Sequence, residues 1–68
     1  MDQETFNLSI RKFLKMVGVN SQREIEQAVN KALETGGLRG DETLTARVML
    51  EIPALGLKVP FEGEIKLK

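Results

Sequence analysis

Leu44-Thr45-Ala46-Arg47-Val48-Met49-Leu50-Glu51-Ile52 and Leu57-Lys58-Val59-Pro60-Phe61-Glu62-Gly63-Glu64-Ile65-Lys66-Leu67 decide the fold. Positions 44, 46, 48, 50 and 52 are apolar, as are 57, 59, 61, 65 and 67, and most residues between them are polar. Period two is the signature of half-buried strands, so this half of the chain reads as a β-hairpin with one dry and one wet face. With Pro53-Ala54-Leu55-Gly56 as the loop, the dry face pairs Ile52 with Leu57, Leu50 with Val59, Val48 with Phe61, Ala46 with Gly63 and Leu44 with Ile65. The wet face then sets Glu51 against Lys58 and Arg47 against Glu62, two opposite-charge pairs. A slip of one residue would oppose apolar to polar side chains throughout. Pro60 has no amide to donate, and a four-residue loop places it where the ladder needs none. Pro opening the loop and Gly closing it suit that length. A competing turn at Glu62-Gly63, followed by a short third strand, would oppose Phe61 to Glu64.

The dry face needs a cover, and residues 1–36 are expected to supply it as two helices. The first runs from about Gln3 to Val17. Asp2 is its N-cap, and Glu4 suits the positive end of the helix dipole. Phe6, Ile10, Phe13 and Val17 recur at spacings of four, three and four, and Leu14 widens the stripe. Gly18 reads as a left-handed stop. Ser21-Gln22-Arg23-Glu24 matches the S-x-x-E capping box of a second helix, which buries Ile25, Ala28, Val29, Ala32 and Leu33 and ends at Gly36-Gly37. Gly18-Val19-Asn20 is too short a link to separate the two, so they should form a helical hairpin. The expected architecture is a single α+β domain over residues 1–68. Its order is ααββ, with the helix hairpin on one face of a two-stranded antiparallel sheet.

Composition narrows the function. The chain has 68 residues, near the size at which one hydrophobic core is only just sufficient. Without Cys it has no disulfide or thiolate metal site, and without His it lacks the commonest metal ligand and the usual general base at neutral pH. Ser9 and Ser21 therefore have no partner to activate them, Glu62 and Glu64 have Lys58 and Lys66 as neighbours on a charge-balanced strand face, and the glycines lack the Lys-Ser/Thr of a phosphate loop. No enzyme, cofactor, metal or small-molecule motif emerges. Lys plus Arg equals Asp plus Glu at 10 each, without the basic excess typical of a nucleic-acid binder. No apolar run approaches the ~20 residues of a membrane span, and no signal peptide opens the chain, so the cytoplasm is the default location.

Two surfaces remain for a partner. Leu8 falls among Arg11, Lys12 and Lys15 on the first helix, away from the Phe6–Phe13 stripe, and this face would suit an acidic protein. The hairpin has two open edges; Pro60 and the abundance of Lys and Glu blunt the second strand, leaving the first as the joining edge for a homodimer. The function expected is a small non-enzymatic interaction module, self-associating or bound to an acidic protein. The alternative is a nucleic-acid accessory protein, reading base edges through Gln22, Arg23, Gln27 and Asn30 of a helix-turn-helix-like pair.

The run Thr5-Phe6-Asn7-Leu8-Ser9-Ile10-Arg11-Lys12-Phe13-Leu14-Lys15, continued by Val17-Gly18-Val19 and Ser21-Gln22-Arg23-Glu24-Ile25-Glu26, resembles the opening of a family of small bacterial proteins classed as a domain of unknown function. Leu55-Gly56-Leu57 and Gly63-Glu64-Ile65 extend the resemblance over nearly the whole chain. It implies a small stand-alone bacterial protein and carries over no reaction or ligand. Within the shared pattern, Asn7 and Arg11 have no evident structural duty.

Overall fold

A computed structural model describes residues 1–68, and its element order is one helix followed by a hairpin. The class is α+β. Two units are compact in themselves, Met1–Gly37 and Leu38–Lys68.

The first unit is a single helix, α1, over Gln3–Glu34. Its 32 residues extend about 48 Å at 1.5 Å per residue. Asp2 caps it as the sequence indicates. Its carboxylate accepts the Glu4 amide at 3.0 Å, the Thr5 amide at 3.3 Å and the Thr5 hydroxyl at 2.8 Å. These bonds favour the charged form and hold the Asp2 carboxyl below its ordinary pKa, with the Thr5 hydroxyl the largest cause. At the other end Gly36 takes φ +79°, a conformation costly for any residue with a Cβ. Its amide reaches Leu33 O at 3.3 Å, while the Gly37 amide reaches Ala32 O at 2.8 Å. That pair of bonds is a Schellman stop, closing the last turn on its own carbonyls.

The helical hairpin expected from the sequence does not form. Gly18-Val19-Asn20 continues α1 without a turn, and Gly18 is not among the glycines with positive φ. An interior Gly costs a helix about 1 kcal/mol relative to Ala. Breaking the helix would instead forfeit hydrogen bonds on both sides and require a second costly nucleus. Ser21 is therefore no N-cap but a half-buried interior residue. Asn20 folds its side-chain amide back onto Met16 O at 2.9 Å, and Gln22 bonds Glu26 one turn on at 2.9 Å. With the turn goes the helix-turn-helix geometry on which the nucleic-acid alternative rested.

The second unit is the hairpin, with β1 at Thr43–Ile52 and β2 at Leu57–Lys66. Its register is the one the sequence indicates, from Ile52 opposite Leu57 to Leu44 opposite Ile65. A 3₁₀ turn at Pro53–Leu55 and Gly56 at φ +62° complete the four-residue loop. The Leu67 amide donates to Glu42 O at 3.0 Å just beyond the strands. Counting along the ladder from there makes Met49–Pro60 a non-hydrogen-bonded pair, so β1 loses nothing to the missing amide. β2 continues through Gly63 to Lys66, so there is no turn at Glu62-Gly63 and no third strand. On the wet face Arg47 and Glu62 close to 3.4 Å, while Glu51 and Lys58 stand opposite each other without closing to an ion pair.

Leu38–Glu42, the polar connection, is fastened by one side chain. The Glu42 carboxylate accepts the Arg39 and Gly40 amides, each at 2.9 Å. These bonds, Arg39 first, hold the Glu42 carboxyl below its ordinary pKa. Neither unit encloses a buried residue. The best-covered positions of the hairpin, Leu44, Ala46, Leu50, Leu57, Val59 and Ile65, are half-buried, while Val48 and Phe61 at the centre of the dry face are exposed.

Candidate interaction surface on the helix

Helical continuity unites side chains that two separate helices would have divided. Phe6, Ile10, Phe13, Val17, Ser21, Ile25, Ala28 and Ala32 follow one another at steps of four or three residues. Such steps keep them on one side of a helix with 3.6 residues per turn. Seven of the eight are apolar, and Ser21 fills the centre of the stripe. Leu14 lies beside Val17, and Val29 and Leu33 beside Ala32. From Phe6 to Ala32 the stripe covers nearly the whole helix, yet Phe6, Ile10, Phe13, Leu14 and Ile25 remain 37% to 54% exposed. A soluble helix normally turns such a face to a core. Here the most covered positions, Val17, Ser21, Val29 and Ala32, are only half-buried.

Two features hid this stripe in the sequence. Gly18 invites a stop, and Ser21 with Glu24 imitates a capping box. Counting Ser21 as a stripe position removes the apparent interruption, since it lies four residues after Val17 and four before Ile25.

Leu8, Arg11, Lys12 and Lys15 occupy a second face of the same helix. Their spacing of three, one and three residues places them on adjoining turns, and all four are exposed. Val19, also exposed, continues this face past Lys15. The helix therefore shows an apolar stripe on one side and a basic face with isolated apolar members on another. Asn7 lies at the edge of the stripe next to Ile10, and Arg11 belongs to the basic face.

The hairpin holds a wide-open hollow of about 240 Å³ lined by Thr45, Glu62, Gly63 and Glu64. It is smaller than the ~300 Å³ at which ligand pockets begin, and too open to enclose a substrate. No group of three or more His, Cys, Asp or Glu residues is placed to hold a metal ion. No helix is long and apolar enough to cross a membrane.

Neither a curated protein nor a solved structure matches the chain. One family model does, described as a family of unknown function (DUF6494), and it matches residues 1–68. The chain therefore belongs to this family of unknown function over its whole length.

Proposed function

We propose that this protein is a small non-enzymatic interaction module that self-associates through α1. One observation carries the reading: a helix of 32 residues presents an exposed apolar stripe along nearly its full length. A chain of this size needs a core, a disulfide, a metal or a partner to hold a fold. Cys is absent, and neither unit has a buried residue of its own. Self-association supplies the missing interior. The basic face of Leu8, Arg11, Lys12 and Lys15 is then left free, and its charge suits an acidic protein partner.

Concentration is the test. A fold completed by association gains stability by mass action, so Tm rises with protein concentration. Sedimentation equilibrium should give a mass above that of one chain at micromolar concentration. A single-chain mass with a concentration-independent Tm would overturn the reading.

A further inference from the structure

We infer that the occupant of the α1 stripe is the same stripe of a second copy, running antiparallel. The inference rests on the self-association proposed above and adds its geometry.

The eight stripe positions are symmetric about Val19, whereas the flanking Leu14, Val29 and Leu33 come level with Glu24, Ser9 and Thr5. The steps of the stripe run four, three, four, four, four, three, four, and so read the same from either end. Two copies laid antiparallel across Val19 therefore bring stripe to stripe without slippage. Phe6 comes level with Ala32, Ile10 with Ala28, Phe13 with Ile25 and Val17 with Ser21. The N-terminal half holds the bulky side chains and the C-terminal half the smaller ones. Antiparallel layers each combine a larger residue with a smaller one, which lets the two axes keep one separation over the whole contact. Parallel copies would set Phe6 and Phe13 against themselves at one end and Ala28 and Ala32 against themselves at the other, splaying the pair into a wedge.

Charge favours the same orientation. Residues 3–18 carry Arg11, Lys12 and Lys15 against Glu4, a net +2. Residues 19–34 carry Arg23 and Lys31 against Glu24, Glu26 and Glu34, a net −1. Antiparallel copies set opposite signs side by side, and parallel copies set like signs. Helices separated by ~8–10 Å lie within about one Debye length at physiological ionic strength, so the bias is modest and weakens with salt.

The area suffices. At ~150–250 Å² for a large side chain, the exposed parts of Phe6, Ile10, Phe13, Leu14 and Ile25 total on the order of 400 Å² per chain. Two copies contribute about 800 Å², half of a standard specific interface of ~1,600 Å², before the flanking residues are counted.

The natural chain has no Cys, so introduced thiols report orientation directly. Asn7→Cys and Ala32→Cys sit on the same flank of the stripe, level with each other only across an antiparallel pair. The full chain carrying each change is prepared separately, mixed, and treated with a short bis-maleimide. The mixture should give a cross-linked dimer joining the two variants, and Asn7→Cys alone should give none. In an antiparallel pair its two thiols lie about 37 Å apart. Cross-linking of Asn7→Cys with itself would overturn the orientation while leaving self-association intact. A dimer by sedimentation that yields no cross-link in either sample would place the contact away from the stripe and overturn the inference alone. A single-chain mass would overturn the proposed function and this inference together.

Discussion

The helix and the hairpin leave different things unfinished. In α1 every interior amide and carbonyl is satisfied along the chain, so what remains open is side-chain surface. In the hairpin each strand bonds its neighbour along one edge only, so backbone groups on the outer edges remain open together with an apolar face. A helix in this state asks for apolar contact of the right shape. A two-stranded sheet asks for a cover and for strand pairing as well. Both halves thus ask for apolar cover, and only the hairpin asks for strand pairing in addition.

Placing a charge on the stripe is the sharpest way to break that contrast. Phe13 is 48% exposed, so Phe13→Asp removes about half of a full side chain's burial, roughly 1 kcal/mol from each copy, and seats a carboxylate in the contact. With tenfold in affinity for each 1.4 kcal/mol, self-association should weaken at least ~10-fold by sedimentation equilibrium. Leu8→Asp, on the other face, should leave it nearly unchanged. Equal effects at the two positions would erase the distinction between stripe and basic face.

The hairpin's weak point is its loop. Gly56 sits at φ +62° with nothing within 4 Å of where a Cβ would be, so the cost of Gly56→Ala is conformational rather than steric. It should be about 1–2 kcal/mol, read as a lower Tm with the helical circular dichroism signal retained below the transition. Gly18 offers the opposite case inside α1. A Cβ there also meets nothing within 4 Å, and the backbone is already helical. Gly18→Ala should stabilise the helix by about 1 kcal/mol, and a loss of helicity would show that a bend at Gly18 is needed.

The smallest effect separates the two halves by pH. Asp2 at the head of α1 and Glu42 before β1 both have their pKa lowered by the amides they accept. A depressed folded pKa adds stability that is complete above the ordinary carboxylate value and is lost as pH falls through the folded value. Asp2→Asn keeps a capping oxygen but cannot titrate, so it should flatten the acid limb of stability-against-pH curves for the helix. Glu42→Gln should do the same for the Leu38–Glu42 connection. Carboxyl titrations by NMR should show both groups ionising at lower pH than in an unfolded peptide.

The same contrast explains how much could be read in advance. The hairpin's register, its four-residue loop and its Arg47–Glu62 pair were all legible, because period-two alternation and a Pro–Gly loop act between residues that are near neighbours in the ladder. Asp2 and Gly36-Gly37, which end the helix, were legible for the same local reason. The middle of the helix was not. Gly18 and Ser21 each prefer a break on local grounds, yet each is a weak preference set against two flanking runs of good helix. Continuity is cooperative and is decided over the whole 32 residues. The stripe stayed hidden with it, since Ser21 belongs to that surface only once the helix is unbroken.

Pro60 has one more consequence, for growth rather than for folding. In its non-hydrogen-bonded pair with Met49 its nitrogen faces away from β1, toward the rim of the sheet. A strand arriving at that rim would find a donor missing midway along its path. Hairpins stacking β1 onto β2 in one direction would meet this gap at every addition, so a single ring nitrogen works against an endless ribbon. Two hairpins meeting β1 to β1 would leave only rims of this kind outside, so sheet pairing would terminate at four strands.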